Sequence, residues 1–172
     1  LNKSKLFLIP VPISENSSFI SEEVKSILPE ISFFVVESLK SARRSLRLLG
    51  YKKDFNTEVA FFEWDKHTEN QSLKEVEEWM LDGKNIGVLS DAGLPCIADP
   101  GNKVVALAHR IGCEVIPLSG PSSILLALIA SGFNGQSFAF SGYLPIDKGQ
   151  RIARIKHLES LAASGQTQIF ME

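Results

Sequence analysis

The chain predicts an α/β fold with a mostly parallel sheet, and three observations carry that prediction. Short runs rich in β-branched and aromatic residues alternate with stretches of helical periodicity. Loops dense in Pro, Gly, Asp and Ser follow the C-terminal ends of several predicted strands, the edge where open α/β sheets bind ligands. After Leu118 the pattern changes, as Ser119-Gly120-Pro121-Ser122 opens an unusually apolar helix. That change divides the chain into an N-terminal α/β domain, 1–118, and the start of a second α/β domain, 119–172.

The elements follow in order. Lys5 to Ile9 is a short apolar run stopped by Pro10-Val11-Pro12, so it reads as a buried strand entering a loop. Ser21 to Leu28 reads as a helix, with Ser21 as cap, acids in the first turn and Pro29 beyond its end. Ser32 to Val36 is the second strand. Ser41 to Leu49 is a basic helix with Gly50 as its C-terminal cap, and Val59 to Phe62 is a third strand. Ser72 to Leu81 places Leu73, Val76, Trp79 and Met80 at three- and four-residue spacing, the stripe of an amphipathic helix. Ile86 to Leu89 is a strand, Lys103 to Ile111 a helix closed by Gly112, and Glu114 to Leu118 a strand. The second domain reads as a helix from Ser123 to Ser131, a strand at Phe138 to Phe140, a helix from Gln150 to Ala163 and a strand at Thr167 to Met171. The chain begins at Leu1 rather than Met and stops at Ile169-Phe170-Met171-Glu172 with no turn signal, so the second domain is expected to be incomplete.

Composition narrows the function. With 44% hydrophobic and 22% charged residues in 172, the chain can bury a core. A net charge of −2 argues against a dedicated basic nucleic-acid binder but permits a local basic patch. Cys96 and Cys113 form no CxxC pair, so neither a disulfide framework nor a metal site is expected, and reduced thiols suit the cytoplasm. No apolar run approaches the roughly 20 residues that span a bilayer. No G-x-G-x-x-G follows the first strand and no P-loop is present.

Three loops hold the remaining chemistry. Ser90 to Gly101 reads S-D-A-G-L-P-C-I-A-D-P-G. Its glycines permit close backbone approach, its prolines stiffen it, and its backbone and carboxylates can meet a polar ligand. By itself it is equally a tight loop with a helix cap at Asp99. Pro10-Val11-Pro12 and Ser119 to Ser123 are the other two, and the serines of the latter can cap the following helix or donate to a ligand.

In this order, Pro10-Val11-Pro12, the D-A-G-x-P-x-I-x-D-P-G string, G-P-S-S at Gly120 to Ser123, A-S-G at Ala130 to Gly132 and F-S-G-Y-L-P at Phe140 to Pro145 resemble the tetrapyrrole methylase superfamily. Within it they are most similar to the ribosomal small-subunit RNA (cytidine-2′-O)-methyltransferases, from about Leu6 to Glu172. The resemblance implies two α/β domains of the class III S-adenosylmethionine methyltransferase type, a homodimer, and cofactor folded into a cleft between domains. It implies that Pro10, Val11 and Pro12 line the cofactor, that Asp91, Ala92, Gly93 and Leu94 hold its ribose and methionine parts, and that Gly120, Ser122, Ser123 and Ile124 complete the set.

Departures fall in the substrate-facing loops. The family's G-N-x-x-D is replaced by Ser14-Glu15-Asn16, its E-D-T-R by Glu37-Ser38-Leu39-Lys40, and its H-N pair by His67-Thr68. A ribose 2′-hydroxyl needs a general base, and Glu37, the surviving acid, is the candidate. Lys40, Arg43, Arg44 and His67 are the candidates for RNA contact, in a basic cluster that extends to Arg47, Lys52 and Lys53. Lys148, Arg151, Arg154 and Lys156 read as a solvated helix face. Trp64 is a candidate for stacking on bases, whereas Trp79 lies on an apolar stripe and reads as core. The alternatives at this level are a methylase of tetrapyrroles or another small-molecule or protein acceptor, and a non-catalytic cofactor-binding module.

Overall fold

The computed structural model describes residues 4–14, 21–65, 68 and 72–172. The chain divides into two compact units, Leu1–Pro121 and Ser122–Glu172. The first contains β1 (Lys5–Leu8), α1 (Glu22–Ile27), β2 (Phe33–Val36), α2 (Leu39–Leu48), β3 (Ala60–Glu63), α3 (Lys74–Leu81), β4 (Ile86–Leu89), α4 (Asn102–Ile111) and β5 (Glu114–Pro117). Its five strands are all parallel, in the order β3-β2-β4-β1-β5.

Alternation along the strands sends side chains to two cores. Phe7, Phe34 and Val36 pack against α1 and α2, together with Val24, Leu28, Ala42 and Leu46. Leu6, Val35, Ile86 and Val88 pack against α3 and α4, together with Val76, Trp79, Val104 and Leu107. β4 is buried at all four positions, as a central parallel strand covered on both faces must be. Gly87 makes this possible, because a Cβ there would lie 2.6 Å from Ile9 Cδ1 and 2.8 Å from Phe34 Cδ1.

The strand order fixes where a ligand can enter. β1 and β4 are neighbours, but the chain leaves β1 toward β2 on one side and leaves β4 toward β5 on the other. Their helices lie on opposite faces, so the loops after β1 and β4 diverge and open a crevice at the C-terminal edge. The loop after β1 begins at Ile9 and the loop after β4 at Ser90.

Local chemistry shifts several boundaries. Ser21 makes no side-chain cap bond, and Pro29 sits inside a turn of 3-10 helix, Leu28–Glu30, rather than beyond the helix end. α2 starts two residues earlier than its sequence suggests, because Glu63 Oε1 accepts from the Leu39 N–H at 2.9 Å and Ser38 caps its first turn. Gly50 and Gly112 follow α2 and α4 with φ of 88° and 80°, the left-handed geometry that ends helices.

The second unit holds α5 (Ser123–Ser131), β6 (Phe138–Tyr143), α6 (Lys148–Ala163) and β7 (Thr167–Met171). β6 and β7 pair in parallel around the α6 crossover. β6 runs to Tyr143, beyond the three residues read from sequence, with a register shift between Phe140 and Tyr143 where Gly142 has φ 71°. α6 starts at Lys148 because Asp147 accepts from the Gln150 N–H at 2.9 Å. No helix among the described residues is long and apolar enough to cross a membrane.

Candidate functional site

Three loops meet at the crevice within the first unit. Val11 and Gly93 form an antiparallel bridge, with Val11 N–H donating to Gly93 O at 2.9 Å and Gly93 N–H to Val11 O at 3.2 Å. Gly93 has φ 73°, and a Cβ on it would lie 3.2 Å from both Ile13 Cγ2 and Pro121 O. Gly120 is tighter still, because a Cβ would fall 2.0 Å from Pro10 Cβ and 3.4 Å from Leu94 Cδ2. Pro10, Val11, Gly93, Leu94 and Gly120, expected at one site from sequence, are therefore brought together by backbone packing. Val11 and Gly93 are buried, while Asp91 and Ala92 stand exposed at the rim.

The Ser90 to Gly101 loop is held from inside. Asp99 Oδ2 accepts from the Cys96 N–H at 2.8 Å and Oδ1 from the Gly101 N–H at 2.7 Å. Cys96 and Ala98 both adopt left-handed backbone, φ 70° and 63°, which is costly for residues with a Cβ. Asp99 is thus the clamp of a strained loop rather than a side-chain cap of α4, whose first residue lacks one. Sequence reading missed this role, since its signal is only a carboxylate among Pro and Gly residues. Trp64 anchors the loop from β3, with its indole N–H donating to Pro100 O at 3.0 Å. It is buried, so it stacks on no base; Trp79 is buried as expected. Burial, reinforced by Asp99, pushes the Cys96 thiol up to about 12, which removes it as a thiolate nucleophile.

Glu37 leaves the end of β2 and reaches across to β4, where its Oε2 accepts from the Asp91 N–H at 3.1 Å. Burial raises its carboxyl above the ordinary value, the Asp91 N–H opposes the rise, and Asp91, Asp99 and Asp65 add to it by repulsion. Asp99 is raised by burial too, against its backbone hydrogen bonds. A raised carboxylate binds its proton more tightly folded than unfolded. The stability these two groups contribute is therefore complete below the ordinary carboxylate pKa and is lost as pH rises through their raised values.

The basic face of α2 splits. Arg47 lies 3.9 Å from the Phe55 ring centroid and donates to Tyr51 O and Lys53 O, and Arg43 lies 5.6 Å from the Phe61 ring. Lys53 donates to Ser32 Oγ at 2.9 Å. Arg44 is among the residues that line a cavity with Asp91 and Ala92, and Lys40 is exposed. His67 lies outside the described residues. In the second unit, Ser122 caps α5 by accepting from the Leu125 N–H at 3.4 Å, Ile124 is buried and Ser123 is exposed. Among the described residues no group of His, Cys, Asp or Glu could hold a metal ion.

A doubly wound parallel sheet with stiff, glycine-gated loops over its switch point defines an α/β ligand-binding protein of the methyltransferase type. No protein-family profile matches the chain. It is 34% identical over 167 residues to ribosomal RNA small subunit methyltransferase I of Vibrio cholerae, covering 97% of this chain and 54% of that protein. The protein of the same name from Bacillus subtilis is 34% identical over 175 residues, with the same coverage of 97% and 54%. That of Thermotoga maritima is 30% identical over 168 residues, covering 98% of this chain and 71% of the relative. The chain belongs to the ribosomal RNA small subunit methyltransferase I family, within the tetrapyrrole methylase superfamily. It spans about half the length of the first two relatives.

Proposed function

We propose that this chain carries the methyl-transfer site of an S-adenosylmethionine-dependent enzyme that methylates a ribose 2′-hydroxyl of small-subunit ribosomal RNA. The observation that carries the reading is the Val11–Gly93 bridge beneath the Gly120–Pro10 contact. It sets two stiff loops backbone to backbone and leaves Asp91 and Ala92 exposed beside them. Such a rim suits a cofactor with hydroxyl, amine and carboxylate groups, since it offers a carboxylate together with free-standing backbone. Pro10, Val11, Pro12, Asp91, Ala92, Gly93, Leu94 and Gly120 are the residues assigned to it in the first unit. The roles expected for Ser122, Ser123 and Ile124 rest on the resemblance alone, as does the homodimer.

When bound, S-adenosylmethionine supplies an activated methyl group on a sulfonium. The loops contribute alignment and exclusion of water. Glu37 contributes a carboxylate that is a stronger base than an ordinary one, because burial raises its pKa, and it takes the proton from the acceptor hydroxyl.

Asp91→Ala is expected to weaken S-adenosylmethionine binding about tenfold in calorimetry, the loss of one charge-assisted hydrogen bond. Unaltered affinity would undermine the site. Glu37→Gln keeps an acceptor for the Asp91 N–H but no base. Turnover on ribosomal subunits should fall by about 10²-fold or more while cofactor affinity holds. Because Glu37 is raised, the same change should lift the melting temperature at neutral pH and lose that gain below the ordinary carboxylate range. Unchanged turnover removes Glu37 from the mechanism. The function itself is tested by transfer of labelled methyl from S-adenosylmethionine to small ribosomal subunits by the full-length protein, against porphyrinoid acceptors. Transfer to the porphyrinoids alone would replace this reading.

A further inference from the structure

α1 and α2 run back against the strand direction, so their C-terminal ends lie at the N-terminal edge of the sheet, opposite the loops assigned to the cofactor. The segment that leaves α2 is tied to that edge. Tyr51 Oη donates to Ile31 O at 2.6 Å and Lys53 Nζ to Ser32 Oγ at 2.9 Å, just before β2 begins at Phe33. Between the two helix ends is a pocket of about 290 Å³, whose lining among the described residues falls in 25–29 and 48–53. The ten residues of α2, at about 1.5 Å of rise each, set it roughly 15 Å from the cofactor edge.

Its walls carry two kinds of group. Leu28, Pro29, Leu48 and Leu49 give an apolar floor, of which Leu48 is 50% exposed. Lys25, Lys52 and Lys53 bring positive charge, and no carboxylate stands among the described lining residues. The three lysines differ. Lys53 is committed to Ser32 Oγ and Ile31 O, so it adds charge and stays in place. Lys25 forms a surface pair with Glu22 at 2.6 Å. Lys52 is exposed and makes no hydrogen bond or ion pair among the described residues. Arg47 donates to Tyr51 O and Lys53 O, which stiffens the stretch that presents Lys52.

An occupant must be anionic at one end and apolar over its body. A small inorganic anion would leave the floor in water, whereas a nucleotide of a single strand meets both demands, its phosphate at an ammonium and its base over aliphatic carbon. The volume lies near the lower end of the roughly 300–1,000 Å³ of small-ligand sites, room for one base and its sugar.

We propose that this pocket seats one nucleotide of the acceptor RNA other than the one methylated, with its phosphate at Lys52 and its base over Leu48 and Pro29. The assignment rests on the RNA methyltransferase reading and adds to it a grip at the opposite sheet edge. A second grip fixes the path of the strand as well as its position, so acceptors are selected by length and not only by the reacting sugar.

The test uses the full-length protein, a small-subunit ribosomal RNA fragment followed by fluorescence titration over a salt series, and methyl transfer from labelled S-adenosylmethionine. Lys52→Ala should lower the slope of log affinity against log salt by about 0.7, one phosphate of a single strand, and weaken binding about fourfold at about 0.15 M salt. Its affinity for S-adenosylmethionine and its turnover at saturating RNA should hold, with KM for the RNA raised. Lys52→Arg should keep slope and affinity. Leu48→Ser should weaken binding with the slope unchanged, because it removes floor and not charge. Arg110→Ala, in the last turn of α4 on the other face of the sheet, should change neither quantity. Thiouridine-substituted RNA should crosslink to residues 25–29 or 48–53, and an RNA trimmed to the acceptor nucleotide and its neighbours should be indifferent to Lys52→Ala. Affinity and slope left intact in Lys52→Ala overturn the proposal, as does an equal fall of slope in Arg110→Ala, which would mean unlocalised charge. Free nucleoside monophosphates that bind through Lys52 while RNA ignores it would give the pocket to a free nucleotide and overturn it too. In each of these cases methyl transfer to RNA persists; an unaltered protein that methylates no RNA brings down the functional reading instead.

Discussion

Gly120→Ala is expected to abolish tight S-adenosylmethionine binding and to lower the melting temperature by several degrees. An added Cβ would lie 2.0 Å from Pro10 Cβ and 2.6 Å from Pro10 Cγ. Neither neighbour can yield as a long side chain does. The proline ring is fixed to its backbone, and Pro10 follows Ile9, whose N–H is bonded to Val88 O at 2.9 Å. Leu118, two residues before Gly120, is held by its N–H to Leu8 O at 3.1 Å. The clash must therefore be relieved by moving a loop away from the sheet edge, which opens the Val11–Gly93 bridge. Overpacking of this kind costs about 1–3 kcal/mol or more. In a chain of this size each kcal/mol is worth roughly 2–4 °C in melting temperature. Gly135→Ala is the control, because a Cβ there meets nothing within 4 Å and its φ is not positive. Wild-type affinity in Gly120→Ala would mean that the loops are assembled by something other than this contact.

The same contact shows what the sequence could reveal. β4 and β7 are legible to the residue, because Ile86–Leu89 is a short apolar run between turn residues and Thr167–Met171 is a β-branched and aromatic run that follows Ser164-Gly165. The loops' order along the chain was legible as well. Their junction was not, since a glycine that excludes a Cβ looks like any turn glycine until Pro10 is set against it, 110 residues earlier in the chain. The early start of α2 depends on Glu63, which is 24 residues away. The placement of Arg43 and Arg47 depends on Phe55 and Phe61, which reach α2 only once β3 has paired with β2. Periodicity marks which residues share a helix face but not what that face meets. Pro10, Val11, Gly93, Leu94 and Gly120 lie together, whereas the clamp inside the Ser90 to Gly101 loop was invisible.

That clamp carries the second large effect. Asp99→Asn is expected to weaken cofactor binding more than tenfold while leaving the sheet folded, for a reason set by opposing energies. Left-handed backbone at Cys96 and Ala98 costs about 1–2 kcal/mol each. The Asp99 carboxylate offsets that strain by accepting from Cys96, Gly101 and Ile97 N–H groups. Hydrogen bonds to an ionised group are worth about 1.5–3 kcal/mol apiece. Asparagine keeps one carbonyl oxygen but turns an NH₂ toward a backbone donor, so at least one of these bonds is replaced by donor facing donor. It also removes a buried charge, and the raised pKa of Asp99 shows that burial already disfavours that charge. The global stability of the variant therefore changes less than the order of its loop. Amide hydrogen exchange should localise the loss of protection to residues 94–101, with β4 and β1 unaffected. The strain argument makes one further demand. Ala98 is exposed, so Ala98→Gly removes strain without removing packing. In the Asp99→Asn background it should restore part of the lost affinity. If the double variant binds no better than Asp99→Asn alone, the carboxylate acts on the ligand directly and not through the backbone it holds.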